Sequence, residues 1–295
     1  MRILWIGLGK FGRPMAEALL SRGHDLVLPV GNHARQATED LLARGATPLG
    51  DGDAALEVCG VCLPTPADVD EAVGGLTAGR VADVVDFTTG NPAAARATAE
   101  TLAARGIRYV DAPVSGSIDD AGRGALTIWA GARPEQVSPP ARGLLEALAA
   151  DLYYLGEVGQ GAAMKLCNQI VHILTMAAIG EGVAFARAAG VDPMVAVRSM
   201  MTSSADSAML RRFGASLVAD DHAPKFALAL AAKDIRFAVA QAEELGLNLS
   251  HLSILRDDLQ ARLDQGYGAW NFSVVAAPLE RLDGSRASAG DDRPD

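Results

Sequence analysis

The sequence predicts an α/β domain built on a parallel-dominated sheet, then a long connecting helix, then an all-α domain. Three observations predict this. Short apolar runs alternate with helical patterns over the first half, the rhythm of a parallel sheet covered on both faces. A glycine turn of spacing G-x-G-x-x-G follows the first apolar run, Ile3-Leu4-Trp5-Ile6. Past residue 158 strand signals give way to helical ones, and 295 residues is a two-domain length.

The predicted strands of the first domain are 2–6, 25–30, 58–63, 81–86 and 108–111, with helices over 13–22, 34–44, 67–74 and 92–105 between them. A further strand is expected at 126–130 and a further helix at 134–149. Residues 162–189 read as one helix, with Gly190 as its C-cap and Pro193 opening the next. At 1.5 Å per residue it spans about 40 Å, enough to leave one domain and anchor a second. Shorter helices follow at 193–202, 206–218, 226–246 and 250–266. The predicted organisation is a dinucleotide-binding domain (1–158), an interdomain helix (159–190), a helical substrate and oligomerisation domain (191–282) and a disordered tail (283–295) rich in Gly, Ser, Asp and Arg.

A net charge of −10 and a pI near 5.0 argue against a nucleic-acid partner. Met1-Arg2 runs straight into a strand with no signal-peptide pattern, and 170–185 is broken by His172, Gly180, Glu181 and Gly182, short of a membrane-spanning run. The reading is a soluble cytoplasmic protein without a membrane partner. Three cysteines make no disulfide framework. Cys59-Gly-Val-Cys62 has redox-pair spacing, but it lies in a predicted buried strand, where residues three apart face opposite sides. His222 and His251 form no metal-ligand spacing with Cys or acids, so no metal is expected.

Gly7, Gly9 and Gly12 have the strand before them and the helix after them that a dinucleotide fingerprint requires, which makes the first domain a Rossmann domain. Gly7 permits the turn, Gly9 lets backbone N–H groups approach a pyrophosphate, and Gly12 lets helix and strand meet closely. An NAD site carries an acid at the end of the second strand. Here Asn32, His33 and Arg35 precede the first acid, Glu39, and suit a 2′-phosphate, so NADP(H) is favoured and NAD(H) is the alternative.

Seven stretches, in order over residues 1 to 282, together resemble the β-hydroxyacid dehydrogenases, the group of 3-hydroxyisobutyrate dehydrogenase and the tartronate and glyoxylate/succinic semialdehyde reductases. They are Gly7-Leu-Gly-Lys-Phe-Gly-Arg-Pro-Met15-Ala16, Cys62-Leu63-Pro64, Asp86-Phe-Thr88-Thr89-Gly-Asn-Pro92 and Asp111-Ala-Pro-Val-Ser115-Gly116-Ser117. Then come Gly159-Gln-Gly161-Ala-Ala-Met-Lys165-Leu-Cys-Asn168-Gln169, Lys233-Asp234 and Gly266-Tyr-Gly-Ala-Trp-Asn271-Phe-Ser273. The resemblance implies hydride transfer between a nicotinamide cofactor and a small hydroxy acid, or its semialdehyde or oxo acid, by a homodimer or tetramer built through the helical domain. It places the cofactor on Leu8, Lys10 and Phe11 of the glycine loop, on Leu63 and Pro64, on Thr89 and near Lys233.

The resemblance also makes Lys165 the catalytic lysine. On the apolar first turns of its helix, beside Met164, Leu166 and Cys167, it is partly desolvated, which lowers a lysine pKa towards general acid/base use. Asn168 and Gln169, three and four residues on, share its face and suit substrate hydrogen bonds. Ser115, Gly116 and Ser117 offer hydroxyls and backbone N–H groups to a substrate carboxylate. Three departures from the family pattern stand out: Ser117 for a second glycine, Asp120 where a small residue is common, and Asn271 for an aspartate. Asp120 would oppose an anionic substrate if it faced the pocket. His172 shares the face of Lys165 and reads as a core or pocket-lining residue. Imine reductases share the fold and glycine loop but replace the lysine by Asp or Tyr, so Lys165 weighs against that reading. A non-catalytic dinucleotide-binding protein is disfavoured because both the lysine and the Ser-Gly loop are present.

Overall fold

A computed structural model describes residues 1–29, 34–50, 55–223, 225–278 and 282. Asn32, His33 and the tail 283–295 lie outside the described residues. The chain divides into two compact units, Met1–Lys165 and Leu166–Asp295, with the division inside the long helix.

In the first unit the order is β1 (Arg2–Ile6), α1 (Gly12–Ser21), β2 (Asp25–Leu28), α2 (Arg35–Ala43), β3 (Thr47–Pro48), β4 (Val58–Val61), α3 (Pro66–Val73), β5 (Asp83–Asp86), α4 (Pro92–Ala103) and β6 (Arg108–Asp111). The six strands form one parallel sheet in the order β3-β2-β1-β4-β5-β6. That is the doubly wound order, and its topological switch lies between β1 and β4, where such sheets bind their ligands beyond the strands' carboxyl ends. Alternation along each strand feeds two cores. Ile3 and Trp5 join Met15, Leu19 and Leu144 on one face, while Leu4 joins Val69, Val84 and Leu102 on the other. Cys59 and Cys62 divide the same way, and burial pushes both thiols up, Cys62 to about 12. They are inert core thiols rather than a redox pair.

The unit continues with β7 (Val114–Ser115), α5 (Ile118–Arg123), β8 (Leu126–Ala130), α6 (Pro139–Leu148) and β9 (Ala149–Tyr154), the three strands forming a second sheet. The expected helix 134–149 is therefore shorter. A 3-10 turn covers Pro134–Gln136, Ser138 caps α6 on the Ala141 N–H, and the chain becomes a strand at Ala149. The β9 strand carries no alternating pattern that sequence reading could detect, and its side chains are mostly half-buried or exposed.

Helix α7 (Gln160–Ala188) runs from the first unit into the second, which adds α8 (Pro193–Met200), α9 (Ala208–Val218), α10 (Leu228–Glu244) and α11 (Ser250–Asp264). By length and composition α7 does reach the threshold for crossing a membrane, with a mean hydropathy of 1.4 over its most apolar stretch, contrary to the expectation for 170–185. The polar residues interrupting it are too few to lower that average. Its Ile173, Met176, Ile179 and Val183 sit in the core of the second unit with Val197, Leu210, Ile235, Leu255 and Phe272. Gly180 is glycine for a packing reason: a Cβ there would lie 2.1 Å from the Ala276 carbonyl oxygen. Buried Arg262 fastens the same end segment, pairing with Asp258 at 2.9 Å and donating to the carbonyls of Val274 (2.6 Å) and Ala277 (2.9 Å).

Candidate active site

The glycine loop sits at the switch point. A Cβ on Gly7, whose φ is +103°, would lie 2.1 Å from the Cys62 carbonyl oxygen, so the loop crosses directly over the end of β4. A Cβ on Gly12 would lie 2.1 Å from the Gly7 carbonyl oxygen, so α1 starts hard against the loop. Gly9 is the opposite case. A Cβ there meets no heavy atom of the described residues within 4 Å, and Gly9 is exposed. Among the described residues no side chain caps α1, and its first turn holds no acid. Open space above Gly9 and an uncapped helix N-terminus fit a pyrophosphate. Lys10 is exposed, whereas Leu8 and Phe11 lie half-buried against the core. The Trp5 indole N–H donates to the Gly7 carbonyl at 2.9 Å and ties the loop to the sheet.

Leu63 is held by a hydrogen-bonded network that runs through Thr88 to buried Asp86. The Leu63 N–H donates to the Thr88 hydroxyl at 3.0 Å, and the Thr88 N–H donates to Asp86 Oδ1 at 2.8 Å. The Tyr109 hydroxyl donates to Asp86 Oδ2 at 2.8 Å. Leu63 and Thr89 are half-buried and Pro64 is exposed. Arg35 opens α2 as an exposed side chain, and Glu39 pairs with it at 2.9 Å.

Lys165 is buried at 8% exposure, and its ammonium donates to the Val114 carbonyl at 2.9 Å, one residue before Ser115. Ser115 is half-buried and Gly116 exposed. Ser117 is already engaged as the N-cap of α5. Its hydroxyl accepts from the Asp120 N–H at 3.0 Å and donates to Asp120 Oδ2 at 2.6 Å, while the Ser117 N–H donates to that same oxygen at 2.8 Å. This capping box accounts for both Ser117 and Asp120. Asp120 also pairs with Arg123, and the Ser117 hydrogen bonds hold its carboxyl below the usual range.

In the second unit, Gln169 is buried and donates to Asp234 Oδ2 at 2.6 Å. The Asn168 amide donates to Gln169 Oε1 at 3.3 Å, and Lys233 lies 3.4 Å from Asp234 Oδ1. A chain of contacts thus runs from Asn168 through Gln169 to the buried carboxylate, which holds the Asn168 amide in one orientation. Asn271 donates to the Ser273 hydroxyl at 2.8 Å and accepts from the Phe226 N–H at 3.1 Å. An aspartate could not make the first of these bonds while ionised. His172 packs edge-on against Phe272, ring centroids 4.8 Å apart, as a core residue does. No grouping of three or more His, Cys, Asp or Glu suited to a metal ion occurs among the described residues.

Sequence reasoning assigned no role to Asp86, Asp111 or Asp234, although all three stood in quoted motifs. The readable signal is an acid ending an otherwise apolar strand, as at Asp86 and Asp111, which are register partners on β5 and β6. Burial pushes both of these carboxyls up to about 6, and the charge of Asp86 adds to the rise at Asp111. Their folded values exceed the unfolded one, so their contribution to stability is fully present below about pH 4 and lost as pH rises through about 6. Asp86→Asn cannot ionise and is expected to gain on wild type between pH 4.5 and 7.5, by on the order of 2 kcal/mol. Thermal unfolding at both pH values checks it, and a constant difference would contradict the assignment.

Two family models match the chain: the NAD-binding domain of 6-phosphogluconate dehydrogenase over residues 2–156, and the NAD-binding region of NADP-dependent 3-hydroxyisobutyrate dehydrogenase over residues 159–279. The chain is 29% identical to 2-hydroxy-3-oxopropionate reductase of Escherichia coli, an alignment covering 96% of this chain and 98% of the relative. It is 30% identical to 3-hydroxyisobutyrate dehydrogenase of Pseudomonas aeruginosa, covering 92% and 96%. Among solved structures, 3-hydroxyisobutyrate dehydrogenase of Mycobacterium tuberculosis with L-serine superposes with a TM-score of 0.82 at 24% identity, over 94% of this chain and 98% of that one.

Proposed function

The chain belongs to the β-hydroxyacid dehydrogenase family of NAD(P)-dependent oxidoreductases, and from that premise we propose that it reduces a small semialdehyde or oxo acid with NADPH, or oxidises the corresponding hydroxy acid, with Lys165 as general acid/base. The observation that carries the reading is the place of Lys165: a buried ammonium resting on the Val114 carbonyl, beside Ser115 and Gly116.

When bound, the nicotinamide supplies or accepts the hydride. The Gly9 backbone and the α1 N-terminus hold the pyrophosphate, with Leu8, Lys10 and Phe11 beside it, and Leu63, Pro64 and Thr89 line the nicotinamide end. Ser115 and the backbone of Gly116 and Ser117 hold the substrate carboxylate; the Ser117 hydroxyl serves the α5 cap instead. Asn168, oriented through Gln169, directs its amide to the substrate oxygen. Lys165 donates a proton to that oxygen in reduction and takes it back in oxidation, and burial keeps competing water away from Nζ. Lys233, which we assign to the cofactor side of the site on family likeness, is braced by Asp234. The relatives' names, built on 3-hydroxyisobutyrate and 2-hydroxy-3-oxopropionate, support the substrate class. A second copy of the chain is proposed to cover Val171 and Phe185, which stand 66% and 76% exposed on α7.

The preference for NADPH rests on Arg35, whose guanidinium a 2′-phosphate would take from Glu39. Arg35→Ala is therefore expected to weaken NADPH by about tenfold and to leave NADH within about twofold. Equal losses would remove the 2′-phosphate reading. The function as a whole is tested by titrating NADPH and NADH separately against tryptophan fluorescence, since Trp5 is bonded to the glycine loop. Glyoxylate, succinic semialdehyde and methylmalonate semialdehyde are then added and the nicotinamide absorbance followed. Oxidation of NADPH with one of them supports the proposal. Cofactor binding with turnover only of a cyclic imine would overturn it.

A further inference from the structure

We propose that Asp111 is a positioning residue for Lys165. This rests on the reading of Lys165 given above. Asp111 ends β6 and is 3% exposed. Its two carboxylate oxygens are each spent on the start of α7: Oδ1 accepts from the Gly159 N–H at 2.9 Å and Oδ2 from the Ala162 N–H at 2.8 Å. The first ladder bond of the helix is Ala163 N–H to the Gly159 carbonyl, so these two N–H groups precede the ladder and have no helical acceptor. A side chain from a neighbouring strand does the work that an N-cap residue of the helix itself performs elsewhere.

The fold makes room for this carboxylate. A Cβ on Gly131 would lie 2.1 Å from Asp111 Oδ1, and one on Gly161 would lie 2.9 Å from Oδ2 and 2.3 Å from the Trp129 carbonyl oxygen. The Gly131 N–H, in turn, donates to the Asp111 carbonyl at 2.8 Å.

Three residues after Asp111, the Val114 carbonyl accepts from Lys165. Three residues after Ala162, on the same face of α7, stands Lys165 itself. Residues 111–114 thus grip the helix at two points one turn apart, and Ser115 follows at once. One grip is a charged carboxylate on backbone N–H groups, and the other is the lysine ammonium on a backbone carbonyl. With the first in place, the axial position and rotation of α7 are set, and the second puts Nζ at a defined distance from Ser115. Without the first, Lys165 remains buried but its Nζ loses registry with the Ser-Gly loop. Proton transfer is steep in that distance, whereas cofactor affinity is not.

The test compares Asp111→Asn, Ala162→Pro and Leu102→Ala with wild type, using whichever acid wild type turns over. Asn keeps the size but opposes an amide N–H to a helix N–H. Proline at 162 deletes one donor and breaks no ladder bond, and its Cδ stands where the N–H stood and pushes Asp111 Oδ2 off the helix. Leu102→Ala empties a buried site near the end of α4 and serves as a destabilised control that leaves both Asp111 hydrogen bonds to α7 in place. Asp111→Asn and Ala162→Pro are each expected to lose tenfold or more in kcat, with the cofactor Kd and substrate KM within about twofold of wild type. Leu102→Ala, at a comparable loss of Tm, is expected to keep kcat. Normal kcat in folded Asp111→Asn or Ala162→Pro would overturn the proposal, as would an equal loss of kcat in Leu102→Ala. Lys165→Ala separates the premise from the inference. If that variant is inactive while Asp111→Asn is normal, only the positioning role falls; if it is active, the reading of Lys165 falls first.

Discussion

Lys165→Ala is expected to lower kcat by about 10²- to 10⁴-fold, the range that a positioned acid or base contributes. The cofactor Kd should stay within about twofold, because the lysine ammonium is anchored on the Val114 carbonyl, beside the Ser-Gly loop assigned to the substrate. Truncation leaves the Val114 carbonyl without that donor in a buried place, so a Tm loss of a few degrees should accompany the loss of rate. Lys165→Arg keeps the charge but not the titratable proton, and it should recover the Tm more than the rate. Pre-steady-state kinetics with a deuterated nicotinamide would locate the damage in the chemical step. A variant with near-normal kcat would remove Lys165 from the mechanism and leave the rest of the site standing.

Gly9→Asp should abolish cofactor binding while the protein stays folded. The two halves of this expectation come from one observation. No heavy atom of the described residues lies within 4 Å of a Cβ at Gly9, and its φ is not among the positive ones, so a side chain is accommodated at little cost to stability. The same open space is where a pyrophosphate would meet the backbone, and a carboxylate there adds repulsion between like charges. A rise in Kd of about 100-fold or more, worth about 2.7 kcal/mol, is expected for NADPH and NADH alike. Gly12→Ala provides the contrast. Its Cβ would fall 2.1 Å from the Gly7 carbonyl oxygen, so that variant should lose stability before it loses anything else. Fluorescence titration paired with thermal unfolding distinguishes them. Wild-type affinity in Gly9→Asp would mean the loop is a turn and no more.

The apolar run Ile3-Leu4-Trp5-Ile6, the glycine spacing and the length of the apolar period in α7 are local properties, each carried by a few adjacent residues, and all were legible in the sequence. The order of motifs from Gly7 to Ser273 was legible for the same reason, and with it the family and the candidate lysine. Partners far apart in the chain were not. Nothing local says that Asp111 reaches Gly159 and Ala162 across about 50 residues, that Gln169 finds Asp234, or that Lys165 rests on Val114. Ser117 and Asp120 show the same division at shorter range: their types suited a ligand pocket, and their hydrogen bonds went to capping α5. Periodicity and turn chemistry specify elements because they depend on backbone geometry repeated every few residues. The assignment of a polar side chain depends on which donor the fold leaves unpaired beside it, and that choice is made only when distant segments pack together.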